Sequence, residues 1–177
     1  MASQVAFPTI RPLVTAEERD WCAQLMASSE PWITLGRTLE ASRRLFEDPS
    51  RDVLLATLDD APVGFAVFTL IGPFSGYIQS LAVIPTARSA GIGSALMRHA
   101  EARIFEASPN VFLCVSSFND RARHFYERAG YELIGELRDY FVRGHSELLF
   151  RKSRGPWNDF DANARSSEDD GQIIPAN

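Results

Sequence analysis

Two hydrophobic periods alternate along the chain. Thr9 to Val14 has strand character, and Thr15 followed by Glu18 makes a capping box that predicts a helix running to about Ser28. Pro31 breaks that helix. Ile33, Leu35, Leu39, Leu45 and Phe46 then trace an approximate helical stripe, which predicts a second helix ending near Asp48 and Pro49. On this reading the first connection is a parallel crossover made of a helix pair. Arg51 to Leu58 and Val63 to Leu70 are β-rich runs, and the Asp59-Asp60-Ala61-Pro62 segment between them reads as a hairpin turn. A second turn over Gly72 to Gly76 leads to a fourth strand from Tyr77 to Val83.

After Pro85 the period lengthens. Ile92, Ala95, Leu96, Ala100 and Ile104 share one face of a helix that should start near Gly91. Asn110 to Val115 reads as a strand, Asp120 to Ala129 as a helix closed by Gly130, and Tyr131 to Leu137 with Glu147 to Arg151 as a final strand pair. The order is βααββββαβαββ, an α/β layout around a mixed sheet. From Ser153 onward apolar density falls and Ser, Asp, Asn and Gly dominate, so a domain over residues 1–152 is expected to end in a polar tail over 153–177, anchored only by Trp157 and Phe160.

Composition narrows the class without naming it. The 177 residues fit one domain, with 45% apolar and 23% charged residues close to globular averages. A net charge of −5 lacks the basic face that a nucleic-acid partner would require. Residues 1–10 carry no basic start or long apolar run, and no later stretch has the length of a membrane span, so a cytoplasmic protein with no membrane partner is expected. Cys22 and Cys114 are too few for a disulfide scaffold and read as reduced, buried small hydrophobes. His99, His124 and His145 fall in different elements without ligand spacing, so no metal is expected.

The strongest chemical signal lies between the fourth strand and the helix after it. Val83-Ile84-Pro85-Thr86-Ala87-Arg88-Ser89-Ala90-Gly91-Ile92-Gly93 is a strand, turn and helix start with two glycines. Glycine lets backbone approach a ligand, and the first helical turn offers free amides in a positive dipole potential, so a pyrophosphate fits. Arg88 adds positive charge and Ser94 a hydroxyl donor. Taken alone, the pair Gly91 and Gly93 could serve only a tight connection.

A second motif, Asn119-x-x-Ala122-x-x-Phe125-Tyr126-x-x-x-Gly130-Tyr131, follows a short strand. Together the two motifs resemble the GNAT superfamily of acyl-CoA-dependent N-acetyltransferases, over about residues 5–152. The resemblance implies a central mixed, mainly antiparallel sheet flanked by helices, and acetyl-CoA as cosubstrate. It implies that Arg88, Ser89, Ala90, Gly91, Ile92 and Gly93 hold the pyrophosphate, to which Ser94 at the helix start can add its hydroxyl, and that the backbone of Leu81 and Val83 pairs with the pantetheine amides where the fourth strand splays from the fifth. Asn119 would hold the pantetheine region, although an N-cap is its simpler role. Tyr126 would point its hydroxyl at the thioester sulfur, the alternative being a core aromatic.

Amide formation by this route needs a neutral amine, an oxyanion stabiliser and a proton for the departing thiolate. A backbone N–H freed near Leu81 to Val83 suits the oxyanion, and Tyr126 suits the acid. The base is open: relatives often carry a glutamate on the fourth or fifth strand, whereas this chain has Tyr77, Gln79 and Ser80 on the fourth and Cys114 on the fifth. A lysine-like amine is neutral at roughly the 10⁻³ to 10⁻⁴ level at pH 7, an α-amine at roughly 15–20%. A water chain or a weakly basic acceptor would therefore relieve the missing base. Cys114 as a covalent nucleophile has no histidine placed beside it.

Glu30 and Trp32, between the first two helices, are candidate acceptor contacts, a carboxylate and a ring able to cover an ammonium. Tyr140, between the last two strands, is a third. Each also has a structural reading, as helix punctuation or a hairpin edge. The expected acceptor is a primary amine on a small molecule or a peptide N-terminus, with a homodimer left open. A non-catalytic acyl-CoA-binding sensor or assembly module is the competing class.

Overall fold

The computed structural model describes residues 7–161. In chain order the elements are β1 (Thr9–Pro12), α1 (Ala16–Ala27), α2 (Leu39–Glu47), β2 (Asp52–Leu58), β3 (Ala61–Thr69), β4 (Tyr77–Val83), α3 (Ile92–Ala107), β5 (Asn110–Ser116), α4 (Asp120–Arg128), β6 (Glu132–Leu137) and β7 (Glu147–Ser153). The strands form one sheet in the order β1-β2-β3-β4-β5-β7-β6. Only β4 and β5 are parallel neighbours; the other pairs are antiparallel. The mixed, mainly antiparallel sheet is as expected, but the order is βααβββαβαββ, with three strands rather than four between α2 and α3.

Two further expectations need correction. β1 pairs antiparallel to β2, so the first connection is not a parallel crossover. Two helices in succession carry the chain away and back again, so β2 enters from the end where β1 left. Nor does the second helix include Ile33 and Leu35. Residues 31–36 form turns, with Leu35 N–H donating to Pro31 O at 3.0 Å and Gly36, at φ +68°, ending them. Helix α2 starts only where the Thr38 hydroxyl accepts from Ala41 N–H at 3.1 Å.

Local signals elsewhere act as the sequence implies. The Thr15 hydroxyl accepts from Glu18 N–H at 3.1 Å, and the Glu18 carboxylate returns to Thr15 N–H at 3.1 Å and binds Arg11 at 2.5 Å, fixing the start of α1 against β1. The β2–β3 turn is tighter than its four-residue signal. Asp59 and Asp60, at φ +48° and +64°, complete it, and Pro62 sits inside β3 at a bulge opposite Thr57.

Side chains on the two faces of the sheet feed separate cores. Against α3 lie Ala66, Phe68, Ile78, Val111, Leu113 and Phe150 with Leu96 and Ile104. Against α1 and α2 lie Leu55, Phe65 and Val67 with Cys22, Met26 and Phe46. Phe65, fully buried, meets the Phe46 ring edge-on at 5.0 Å. Burying one such ring is worth about 1.5–3 kcal/mol. After β7, Arg154 N–H donates to Pro109 O at 2.9 Å, its guanidinium covers the Phe105 ring at 3.9 Å, and Trp157 packs on Phe160 at 5.7 Å. The remainder of the expected tail, residues 162–177, lies outside the described residues.

Candidate active site

Alternation in β4 is interrupted at Gln79. Val67 of β3 faces Ser80 and Phe68 faces Ile78, so Gln79 is the extra residue of a bulge. Bulging bends β4, and its pairing with β5 ends after Tyr77 with Phe112 and Ile78 with Leu113. From Gln79 to Val83 the β5-facing side of β4 has no strand partner. The gap opens in the middle of the sheet, and the buried Gln79 Oε1 at its start has no hydrogen-bond partner among the described residues.

At the end of β4 the chain makes a single 3₁₀ turn over Pro85–Ala87 and enters α3 through Gly91, the N-cap, at φ +79°. The helix ladder begins with Ala95 N–H to Gly91 O at 2.9 Å. Among the described residues the amides of Ser89 to Ser94 donate to no backbone or side-chain acceptor. A Cβ on Gly91 would meet nothing within 4 Å, so the space beside it is open, and one on Gly93 would make only ordinary contact with Phe125 at 3.7 Å. Arg88 is tied back by Nε donating to Val83 O at 3.0 Å, which leaves the rest of its guanidinium exposed beside the turn. Free amides, a helix N-terminus and a tethered cation around open space fit an anionic phosphate group.

Asn119 and Tyr126 both belong to α4, the first at its N-cap and the second within it. The Asn119 carboxamide oxygen accepts from Ala122 N–H at 3.2 Å, so this residue does cap α4. Tyr126 lies in the α3-side core, 9% exposed, its ring 5.1 Å from Phe125 and 5.9 Å from Tyr131. Burial pushes its phenol up to about 12. No group among the described residues engages its hydroxyl. Behind it, Lys152 binds Glu101 at 2.8 Å and lies over the Tyr131 ring, holding α3 to β7.

On the opposite face, Cys114 and Ser116 of β5 stand beside Glu147 and Leu149 of β7. Helices α1 and α2 pack on β2, β3 and β4. Burial first, then the charges of Cys114, Glu147 and Tyr140, pushes the Tyr77 phenol well above its usual value. Burial likewise raises the Cys114 thiol, against the nucleophile reading. Glu147, only 5% exposed, accepts from Ser116 Oγ at 2.6 Å and is raised by desolvation.

The three candidate acceptor residues are not alike. Tyr140 is 59% exposed, stacked edge-on against Phe141 at 4.6 Å, and close enough to perturb Tyr77. Trp32 is half-buried and packs on the second core, 6.4 Å from Phe65. Glu30 is exposed and accepts from Thr34 N–H at 3.2 Å. The sequence reading missed Glu147 and Ser116; an acid opening an otherwise apolar strand was the available signal.

A mixed sheet split between β4 and β5, with a glycine turn at the mouth of the split, is the fold of the acyl-CoA-dependent N-acetyltransferases. The chain belongs to the acetyltransferase (GNAT) family, whose model matches residues 14–131. It is 28% identical to the N-alpha-acetyltransferase RimI of Mycobacterium tuberculosis over 137 residues, 75% of this chain and 82% of that protein. A solved GNAT-family protein from Desulfovibrio desulfuricans superposes with a TM-score of 0.70 at 20% identity, covering 83% of this chain and 99% of that one. An aminoglycoside 6'-N-acetyltransferase solved with coenzyme A gives a TM-score of 0.69 at 16% identity, covering 84% and 98%. At these identities the two structures carry the fold.

Proposed function

We propose that this protein transfers the acetyl group of acetyl-CoA to a primary amine, on a small molecule or a peptide N-terminus, by direct attack within a ternary complex. The observation that carries this is the row of unengaged amides from Ser89 to Ser94 beside the unpaired edge of β4. The amides and Arg88 take the pyrophosphate. The backbone of Leu81 and Val83 pairs with the pantetheine amides, and a freed N–H there faces the developing oxyanion. Acetyl-CoA supplies an activated acyl carbon. Tyr126, neutral at working pH, donates its proton to the departing sulfur, and Asn119 steadies the loop that carries α4. Glu30, Trp32 and Tyr140 border the acceptor side.

A related N-alpha-acetyltransferase supports the peptide arm, and an aminoglycoside acetyltransferase of the same fold supports the small-molecule arm. The test is initial-velocity kinetics, with acetyl-CoA varied against a panel of amines and peptides with free N-termini. Intersecting double-reciprocal lines are expected. Parallel lines would refute direct transfer, and CoA binding without turnover on any panel member would favour the sensor reading instead.

A further inference from the structure

Burying a carboxylate is costly unless something compensates its charge. Glu147 is buried, yet among the described residues no cation pairs with it. Oε1 accepts from Ser116 Oγ at 2.6 Å, while Oε2 makes no hydrogen bond among the described residues. The titratable groups it acts on are Tyr77 from β4 and Cys114 from β5, neither of them cationic, with Tyr140 from the β6–β7 connection beyond Tyr77. On β6 its partner is Leu137, and nearby His145 turns its ring to Phe118 at 4.9 Å. A hydroxyl thus fixes the carboxylate at one oxygen and leaves the other without a partner.

Its place in the sheet gives that vacancy a use. Val111, Leu113 and Val115 of β5 point to the α3 side, where Tyr126 lies. Cys114 and Ser116 point the other way, and Glu147 opposite Ser116 shares their face. Both residues stand past Leu113, the last β5 residue paired with β4. Around β5 the sheet therefore carries an unengaged tyrosine hydroxyl on the α3 side and, on the other, a carboxylate with no counter-ion among the described residues, close enough to β4 to act on Tyr77. We propose that Glu147 is the general base of the transfer, binding the acceptor ammonium and taking its proton on the face of the sheet opposite Tyr126.

This assignment rests on the proposed function. The ammonium gives one proton to the Glu147 carboxylate and becomes a neutral amine. Its nitrogen forms the C–N bond as the C–S bond breaks; the sulfur takes a proton from Tyr126, which recovers one from the new amide nitrogen. Glu147 releases its proton to water, so each turnover yields one amide, one thiol and one proton. Desolvation raises Glu147 from its ordinary value, which brings its basicity nearer to working pH than that of an exposed carboxylate.

The experiment compares the full chain with Glu147→Gln and Glu147→Asp. The acceptors are those of a set comprising an alanine-initiated heptapeptide, spermidine and kanamycin to which the wild type transfers acetyl. Gln can still accept from Ser116. The expected loss in kcat/KM for Glu147→Gln is about 100-fold or more at pH 7, with acetyl-CoA Kd unchanged and part of the rate recovered in Glu147→Asp. The wild-type profile should level off above the Glu147 midpoint, whereas the Gln variant should climb tenfold per pH unit toward the amine's own pKa. A raised carboxylate contributes stability that is lost as pH rises, so the thermal midpoint of Glu147→Gln at pH 8 should not fall below wild type. Equal rates and pH profiles in wild type and Glu147→Gln would overturn the assignment while leaving the proposed function standing. A parallel drop in rate at every pH with a lowered thermal midpoint would make Glu147 structural. No transfer by the wild type to any of the three amines would overturn both.

Discussion

Replacing Gly91 with alanine separates the role of the turn in folding from its role in binding. Gly91 caps α3 at φ +79°, a left-handed conformation that costs an L-residue roughly 1–2 kcal/mol. The new Cβ meets no protein atom within 4 Å, so this backbone term is the whole expected folding penalty. The methyl group occupies the open space where the amides of Ser89 to Ser94 would meet phosphate. Losing one charge-assisted hydrogen bond is worth about 1.5–3 kcal/mol, or roughly a 10- to 150-fold rise in the Kd for CoA. Titration calorimetry with CoA, run beside thermal unfolding, reads the two effects separately. A folded Gly91→Ala variant with wild-type CoA affinity would refute the pyrophosphate assignment.

Tyr126→Phe should keep the fold and CoA affinity while lowering kcat by about 10²–10⁴-fold, measured with an acceptor for which chemistry limits turnover; a two- to threefold loss would reduce Tyr126 to packing. Alanine at Glu30, Trp32 or Tyr140 should raise the acceptor KM with CoA binding unchanged, and unaltered acceptor kinetics in all three would misplace the groove. Glu18, held to about 2 first by its hydrogen bond to Arg11 and then by the amide of Val14, lends stability present above its ordinary pKa and lost as pH falls from about 4.5 toward 2. Arg11 is 39% exposed and solvent screens the pair, so Glu18→Gln should cost about 1–2 kcal/mol at pH 7 and nearly nothing at pH 2 in denaturant titrations; an equal loss at both pH values would contradict the linkage.

Legibility in the sequence followed the range of the interactions. Caps and turns depend on residues three or four apart, so Thr15 with Glu18, the glycine turn before α3 and Asn119 before α4 could be read directly. The direction of β2 could not, because two successive helices and a parallel crossover leave similar apolar patterns. Ile33 and Leu35 satisfied a helical stripe, but Pro31 and Gly36 confine them to turns. The opening between β4 and β5 depends on the register of β4 against β3 and on the bulge at Gln79, which no local pattern records. Glu147 acquires meaning only through Ser116, 31 residues away and opposite it across the sheet. The cofactor half of the site lay in contiguous motifs, whereas the acceptor half is assembled from separate strands and loops.

The central claim is that one acetyl group passes from sulfur to nitrogen across the β4–β5 gap. Mass spectrometry of the amine together with thiol titration in the same reaction tests it most directly. The account predicts one N-acetylated amine for each CoA thiol released, with both products formed about 10²–10⁴-fold more slowly by Tyr126→Phe. Thiol release without an N-acetylated product, or tight CoA binding with no turnover across the amine panel, would contradict it.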